Sequence, residues 1–158
     1  MKIGLIAMSG IRVCDTELLR LGLTLPGFVE RSKVIAALPS LGLLTLAGMT
    51  PAKHDVHYLE VADLSQSRAA GDLRDDFDLV GISSYSPQVG EAYELADAYR
   101  ARGTRVVMGG LHVTSVPEEA GEHCDAVVVG EGEASWPAVL RDARQGRLQP
   151  IYQQAHDF

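Results

Sequence analysis

The chain has 158 residues, of which 46% are hydrophobic and 22% are charged, the size and composition of one ordinary globular domain. Its formal net charge of -7 repels phosphate backbones, and its Lys and Arg residues are scattered, so no nucleic-acid partner is expected. The most apolar run, VIAALPSLGLLTLAGM, is interrupted by Pro39 and Ser40. It is too short for a membrane span of roughly 20 residues, so no membrane partner is expected. No signal-peptide cleavage site follows the amino-terminal run, which predicts a cytoplasmic protein.

Five short apolar segments predict the strands of a sheet. Most of them carry apolar residues at consecutive positions, which is typical of parallel strands covered on both faces. In chain order they are KIGLIAM from residue 2, DVHYLEV from 55, DLVGISS from 78, TRVVMGG from 104 and DAVVVGE from 125.

Three helices are predicted beside these strands. The segment from Pro39 to Met49 is apolar all round, so we expect it to be covered on more than one side. Residues 89–102 and about 135–145 are amphipathic and are each followed by a glycine that ends the helix. The alternation of strands and helices predicts a flavodoxin-like, doubly wound α/β fold with five parallel strands in the order 2-1-3-4-5.

Two segments depart from this regular pattern. The segment from Ser9 to about Leu38 is far longer than a usual strand-to-helix connection, and such loops are usually functional or cover something. The tail GRLQPIYQQAHDF has no partner strand or helix in the sequence pattern. We therefore expect one α/β domain over residues 1–146 and the start of a linker toward a further domain over residues 147–158.

Ligands of such sheets bind outside the carboxyl ends of the strands. The segments expected there are MSGIRVC, SSYSPQ, GGLHVT and GEGEAS, which are rich in glycine and small hydroxyl residues. This composition lets backbone approach a large ligand closely and offers it hydrogen bonds in place of charge.

The familiar phosphate-binding motifs are absent from these segments. The first loop has Gly10 alone where a dinucleotide site needs G-x-G-x-x-G, and no G-x-x-x-x-G-K-[ST] sequence occurs. A phosphoryl-receiver domain would need an aspartate at the end of the third strand, where Ser83 and Ser84 stand. A dinucleotide-binding domain, a nucleoside-triphosphate-binding P-loop domain and a phosphoryl-receiver domain are therefore all disfavoured.

Side-chain catalysis has weak support as well. A serine of SSYS could act as a nucleophile with His112 as its base, but no Gly-x-Ser-x-Gly elbow is present, which favours a serine that binds a ligand or caps a helix. Glu131 and Glu133 could form an acid–base pair, although stabilisation of the last helix by their charge is favoured. His112 lacks companion ligands, so a hydrogen-bonding loop residue is favoured over a metal ligand or a catalytic base.

Five segments taken together resemble a known family. PSLGLLTLAGMTP, DLVGISSYSPQ, VVMGGLHVTSVPEEA, DAVVVGEGEASWPAVL and GRLQPIY are similar to the N-terminal cobalamin-binding domain of cobalamin-dependent radical S-adenosylmethionine enzymes. The resemblance covers almost the whole chain from Pro39 onward and keeps G-G-x-H-x-T-x-x-P-E-E and G-E-G-E in family order. It implies a cobalamin-binding Rossmann-like domain, with the corrin ring at the carboxyl end of the sheet and the nucleotide tail in a groove beside it.

The resemblance also implies which residues contact the cofactor. Gly109 and Gly110 would let the dimethylbenzimidazole tail lie against bare backbone, while Ser83 and Ser84 would hydrogen-bond the tail or its phosphate and ribose. No catalytic residue and no metal ligand is expected. The expected cofactor-binding residues are Ser9, Gly10, Ser83, Ser84, Tyr85, Gly109, Gly110, His112, Val113, Thr114, Gly130, Glu131, Gly132 and Glu133.

Two missing motifs refine this expectation. The first loop lacks the D-x-H-x-x-G sequence whose histidine binds cobalt in other cobalamin domains, which implies base-off cobalamin without a protein histidine on cobalt. No cysteine follows Cys124, so the C-x-x-x-C-x-x-C run for an iron–sulfur centre is absent. The chain is therefore not expected to be catalytic alone. S-adenosylmethionine and a [4Fe–4S] cluster would belong to a radical S-adenosylmethionine domain downstream in the same protein, and the reaction would be methyl transfer or related radical chemistry.

Two other functions stay open at this point. The domain could be an interaction or scaffold module of the same fold that binds no cofactor. It could also be a small flavodoxin-like protein that binds flavin or nicotinamide through Ser9, Ser83 and Glu60.

Overall fold

The structure, a computed structural model, describes residues 1–8 and 39–153. The described residues form six strands, β1 (Lys2–Met8), β2 (Asp55–Val61), β3 (Leu79–Ser83), β4 (Arg105–Gly109), β5 (Ala126–Val129) and β6 (Ile151–Gln153). The helices are α1 (Leu41–Met49), α2 (Leu64–Ala70), α3 (Val89–Ala101), α4 (Leu111–Ser115), α5 (Pro117–His123) and α6 (Gly132–Arg144). The expected loop from Ser9 to about Leu38 lies outside the described residues.

The predicted flavodoxin-like α/β class is confirmed, but the sheet has one strand more than predicted. Every pair of neighbouring strands is parallel and their order is β2-β1-β3-β4-β5-β6. The first five strands keep the predicted order 2-1-3-4-5, and the sixth extends the sheet beyond β5.

The sixth strand comes from the tail GRLQPIYQQAHDF, for which the sequence pattern predicts no partner. Tyr152 pairs with Val128, is buried, and donates its hydroxyl hydrogen to Asp142 of α6 at 3.0 Å. The Val127 amide donates to the Pro150 carbonyl at 2.9 Å. Residues 151–153 thus belong to the sheet, and the linker toward a further domain stays a prediction for the residues after them.

Two apolar layers cover the two faces of the sheet, because successive strand residues point to opposite sides. Ile6, Val80 and Val106 face the side of α2, α3 and α5, where they pack with buried residues of α3 such as Leu95 and Tyr99. The other layer, on the side of α1 and α6, combines strand residues with helix residues and consists mainly of Ile3, Leu5, Leu79, Val107, Val128, Leu43, Trp136 and Val139.

The helix α1 is less covered than its sequence predicts. It begins at Leu41 and not at Pro39, because the Ser40 hydroxyl accepts a hydrogen bond from the Leu43 amide at 3.5 Å and caps the first turn. Leu43 is its buried residue, whereas Leu41 is 77% exposed and Met49 is 45% exposed. The expectation of cover on more than one side was wrong for these side chains.

The other helices agree with the sequence or extend it. Helix α3 buries Ala92, Leu95, Ala96 and Tyr99 as predicted, and α6 begins three residues earlier than the predicted Ser135. The short helices α2, α4 and α5 were not predicted. No helix among the described residues has both the length and the apolar character that a membrane crossing requires.

Candidate functional site: a groove at the carboxyl edge of the sheet

A groove of about 210 Å³ lies between α1, α6 and the sheet, and opens at the carboxyl ends of the strands. Its floor contains two rows of strand residues that the parallel register places side by side. Leu5, Gly81 and Val107 form the deeper row, since Leu5 pairs with Gly81 and Gly81 with Val107. Ser83 pairs with Gly109 in the row nearer the edge.

Gly81 leaves the middle of the deep row without a side chain. A Cβ atom at this position would lie 3.1 Å from the Leu5 Cδ2 atom, a tight contact, and 3.9 Å from the Trp136 ring, so Gly81 lets the Leu5 side chain pack close to β3. A glycine in the middle of a strand often marks a place where a ligand approaches the backbone. Gly81 thus lines the groove through its backbone, beside the side chains of Leu5 and Trp136.

The walls of the groove are apolar, and their polar atoms already have partners. Leu43 and Leu46 of α1 form one wall and Trp136 of α6 the other. The Trp136 Nε1 atom donates to the Thr50 Oγ1 atom at 2.8 Å, and the Thr50 hydroxyl donates to the Leu46 carbonyl at 2.7 Å. This chain of hydrogen bonds joins the end of α1 to α6 and turns the indole nitrogen away from the groove.

The mouth of the groove is more polar. Ser83 lines it from β3, and Gly130 to Glu133 line it from the end of β5 and the start of α6. Glu131 occupies the position before the first residue of α6 without a side-chain cap, and Glu133 lies in the first turn, where its charge favours the helix dipole. The amide of Gly130 donates to the Thr114 hydroxyl at 3.0 Å, which fixes this loop against α4.

Gly109 and Gly110 both line the groove but differ in what they allow. At Gly109 a Cβ would make an ordinary contact of 3.6 Å with the Val128 carbonyl. Gly110 has φ of +107°, and a Cβ there would lie 2.9 Å from the Ser84 carbonyl oxygen and 3.0 Å from the Ser83 Oγ atom. Gly110 is thus required by the close approach of the loops after β3 and β4, whatever binds in the groove.

His112 lies on the opposite side of the sheet from the groove. Its Nδ1 atom is 3.0 Å from the Ser86 hydroxyl oxygen, its Nε2 atom is 3.6 Å from a Glu119 carboxylate oxygen, and its ring meets Tyr93 of α3 edge-on. The helix α4 begins at Leu111 and so directs His112 toward α3 and α5. The structure therefore supports a residue that fixes the loop, as the sequence analysis favoured.

The structure brings half of the predicted site residues to the groove. Those that line it are Ser83, Gly109, Gly110, Gly130, Glu131, Gly132 and Glu133. Those that lie elsewhere are Ser84, which donates its hydroxyl hydrogen to the Tyr85 carbonyl, Tyr85 itself, His112, Val113 in the core and Thr114. Ser9 and Gly10 lie outside the described residues.

Sequence reasoning missed the apolar lining of the groove. Leu5, Leu43, Leu46, Gly81, Val107 and Trp136 all contribute to it. Gly81 was the one available signal, because a glycine inside an otherwise apolar strand suggests close approach of a ligand. The leucines, the valine and the tryptophan have no such signal, since their pattern is that of an ordinary core.

Among residues 1–8 and 39–153, three exposed apolar side chains lie at the carboxyl edge. Leu41 begins α1, Tyr85 follows β3, and Leu111 follows β4, and each exposes more than half of its surface. We call these three residues the apolar rim.

Two side chains with raised pKa values, Cys124 and Tyr93, pack in the apolar layer on the α2, α3 and α5 side of the sheet and do not line the groove. Burial raises the pKa of the Cys124 thiol to about 11, so this cysteine is a protonated core residue at neutral pH. Burial also raises the pKa of Tyr93, which keeps its hydroxyl neutral. No group of three His, Cys, Asp or Glu side chains is placed to hold a metal ion within residues 1–8 and 39–153.

Comparison with known proteins identifies the family. The sequence model of the B12 binding domain matches residues 31–140. The chain is 39% identical over 113 residues to the bacteriochlorophyllide d C-8(2)-methyltransferase of Chlorobaculum tepidum, covering 72% of this chain and 24% of that protein. It is 30% identical over 115 residues to the C-12(1)-methyltransferase of the same organism, covering 71% of this chain and 24% of that protein. It is 37% identical over 117 residues to an uncharacterized methyltransferase of Pyrococcus horikoshii, covering 69% of this chain and 26% of that protein.

The chain thus spans about a quarter of the length of these relatives. The matched region contains the apolar rim, every glycine-rich loop that the structure describes and the lining of the groove except Leu5. The chain therefore belongs to the B12 binding domain family.

Proposed function

We propose that this chain binds cobalamin with its nucleotide tail in the groove, and holds it base-off for a radical S-adenosylmethionine domain of the same protein. The observation that carries the proposal is the groove itself, with its glycine floor, apolar walls and polar mouth at the carboxyl edge of the sheet. Membership of the B12 binding domain family supports the choice of cobalamin over flavin or nicotinamide.

The groove has the size and chemistry for the tail. Its volume of about 210 Å³ exceeds the roughly 150 Å³ of an apolar cavity that takes up benzene, so a bicyclic base has room beside Gly81. The Ser83 hydroxyl and the first-turn amides of α6 would donate hydrogen bonds to the polar part of the tail, and Glu131 would accept them from hydroxyl groups.

The positions of the histidines support cobalt without a protein imidazole. None of the five histidines of the sequence falls between residues 9 and 38, where the motif that supplies such a ligand would stand. Among the described residues, the groove has no histidine in its lining, and His112 points away from it. When bound, cobalamin supplies a cobalt centre that can carry a methyl group, and the chain binds and orients it.

The length of the relatives and the exposed apolar rim both support a catalytic domain in the same protein. The matched relatives are about four times longer than the region they share with this chain, and their names describe methyltransferases. The apolar rim lies at the edge where the groove opens, so a second domain placed there could enclose the cofactor. We propose methyl transfer as the reaction of the whole protein.

Cobalamin binding is tested by gel filtration with two matched variants. The purified chain is mixed with hydroxocobalamin, and we expect corrinoid absorbance to elute with the protein. Gly109→Val should abolish this co-elution because the side chain enters the groove without a backbone clash, whereas His112→Ala should keep it. Loss in His112→Ala with retention in Gly109→Val would reverse the assignment, and no co-elution with the unaltered chain would remove cobalamin binding.

The base-off state is tested by electron paramagnetic resonance of the bound cobalamin after reduction to Co(II). Nitrogen coordinated below cobalt splits the signal, so we expect a spectrum without nitrogen splitting. A split signal in the unaltered chain that survives in His112→Ala would show that a nitrogen other than that of His112 binds cobalt, and would contradict base-off cobalamin without a protein imidazole. A split signal lost in His112→Ala would show a protein imidazole there instead.

A further inference from the structure

Resting on the proposed function, we infer that the groove selects among corrinoids by their lower base, and takes a benzimidazole-type base in preference to a purine. This selectivity depends on the lining of the deep part of the groove, around Gly81. There the described side chains offer a ligand apolar contact and no free hydrogen-bonding atom.

The deep part of the groove is lined by side chains of one chemical kind. Each belongs to the apolar layer on the α1 and α6 side of the sheet and is buried, and together they are Leu5, Leu43, Val107, Val128 and Trp136. The side chains of valine and leucine have no hydrogen-bond donor or acceptor. A ligand edge that reaches this depth therefore meets methyl groups and the face or edge of an indole.

The polar atoms that come near this depth are already in use. The Trp136 Nε1 atom donates to Thr50 at 2.8 Å, and the Thr50 hydroxyl donates to the Leu46 carbonyl. The backbone at Gly81 and Val107 belongs to the interior strands β3 and β4, which pair on both sides. Among the described residues, the deep lining thus has no unused side-chain donor or acceptor to offer.

The polar lining belongs to the mouth, one row closer to the edge. Ser83 and Gly109 follow Gly81 and Val107 by two residues in their strands, a distance of roughly 6–7 Å along an extended chain. Glu131 and Glu133 lie at the start of α6. Sugar and phosphate groups can be satisfied at the mouth, whereas the outer edge of the base has to be accommodated below it.

Dimethylbenzimidazole and adenine differ at the outer edge of the base, which would lie in the deep part of the groove. Dimethylbenzimidazole presents two methyl groups and aromatic carbon, which match the apolar lining. Adenine presents an amino group and ring nitrogens, which lose their hydrogen bonds to water on burial and find no replacement. We expect the corrinoid with adenine as its lower base to bind at least about tenfold more weakly than cobalamin, because one unsatisfied polar group suffices for that ratio.

The inference is tested by titrating the 158-residue chain with three corrinoids and following their absorbance. The three are cobalamin, its analogue with adenine as the lower base, and cobinamide, which lacks the nucleotide tail. Tight binding of cobalamin alone supports the inference. Equal affinity for cobalamin and the adenine analogue overturns the selectivity and leaves cobalamin binding in place. Equal affinity for cobinamide overturns the placement of the tail in the groove, and no binding of any corrinoid overturns the proposed function.

A matched pair of variants locates the selectivity. Val107→Thr puts a hydroxyl group of nearly the same shape into the deep row, and should narrow the preference for cobalamin over the adenine analogue by about threefold or more. Val106→Thr makes the same change on the same strand but on the opposite face of the sheet. Val106→Thr also buries a hydroxyl group, but it should leave the ratio of the affinities for cobalamin and the adenine analogue unchanged. An equal change of the ratio in both variants, or no change in Val107→Thr, contradicts the role of the deep row.

Discussion

Gly109 and Gly110 are adjacent in the sequence, yet the structure requires them for different reasons. A side chain at Gly109 has ordinary contacts and would enter the groove, whereas a side chain at Gly110 meets the backbone of the neighbouring loop. The sequence motif predicts both glycines but cannot separate these reasons, because the separation depends on the backbone conformation at Gly110 and on the position of Ser84. Gly81 was missed for a related reason, since its depth is visible only after the strand register is known.

Gly110→Ala should destabilise the fold. Its φ of +107° disfavours any side chain, and a Cβ would lie 2.9 Å from the Ser84 carbonyl oxygen. We expect a loss of about 1–3 kcal/mol in the free energy of unfolding. Gly90→Ala is the control, because Gly90 lies in α3 with open space around its Cβ position, and alanine there should be neutral or stabilise the chain by up to roughly 1 kcal/mol. Urea denaturation measures both, and equal stabilities of the two variants would contradict the prediction.

Elements were predictable where their apolar pattern is long, and not where they are short. The first five strands follow from consecutive apolar positions in the sequence, and the helices α3 and α6 follow from apolar residues that recur with a helical period. The strand β6 has only three residues and one buried side chain, Tyr152, so it carries no periodic signal. Its place in the sheet depends on contacts with α6 that no local pattern contains.

The contact between α1 and α6 should contribute measurably to stability through one hydrogen bond. Trp136 of α6 donates to Thr50 at the end of α1, and both side chains are at least half-buried. In a double-mutant cycle with Thr50→Val and Trp136→Phe, we expect a coupling energy of about 0.5–1.5 kcal/mol. Thermal and urea denaturation of the four proteins give this value. A coupling energy near zero would mean that the two helices are positioned by apolar packing alone.

The hydrogen bond between β6 and α6 should make the stability of the fold depend on pH in the acid range. Hydrogen bonding to Arg141, and then to Tyr152, lowers the pKa of the Asp142 carboxyl below its ordinary value of 3.8. A carboxyl whose pKa is lower in the folded state stabilises the fold fully above that ordinary value, and loses this contribution as the pH falls through the folded-state pKa. Asp142→Asn should therefore lower the melting temperature at pH 7, and the difference from the unaltered chain should shrink below about pH 4.

Circular dichroism melts at pH 7 and at several acidic values measure this dependence. Asp72→Asn is the control, because Asp72 is exposed, and this variant should melt like the unaltered chain at each pH. A difference for Asp142→Asn that stays constant down to pH 2 would show that the charge of Asp142 does not stabilise the attachment of β6.

At the scale of the whole molecule, the two faces of the sheet have different roles. The face toward α3 and α5 is a continuous apolar layer, while the face toward α1 and α6 contains the groove. The sequence predicts that ligands lie at the carboxyl edge of such a sheet, but it does not say on which face, because a doubly wound sheet has helices on both faces. The structure places the groove on the side of α1 and α6, where Gly81 lines it beside Leu43 and Trp136.

Cobalamin binding should therefore protect one face of the molecule and not the other. A nucleotide tail in the groove contacts α1, α6 and the face of the sheet on which these two helices pack. Amide hydrogen exchange should therefore slow in α1 and in the first half of α6. Exchange in α3 and α5 should stay unchanged, because these helices pack on the face without the groove. Hydrogen exchange followed by mass spectrometry, with and without saturating hydroxocobalamin, tests this pattern. Cobinamide should protect the loops at the carboxyl edge but not the interior of α6, since it lacks the group that enters the groove. Protection that appears first in α3 and α5 would place the tail on the other face, beside His112, and would leave the groove without the role argued for it.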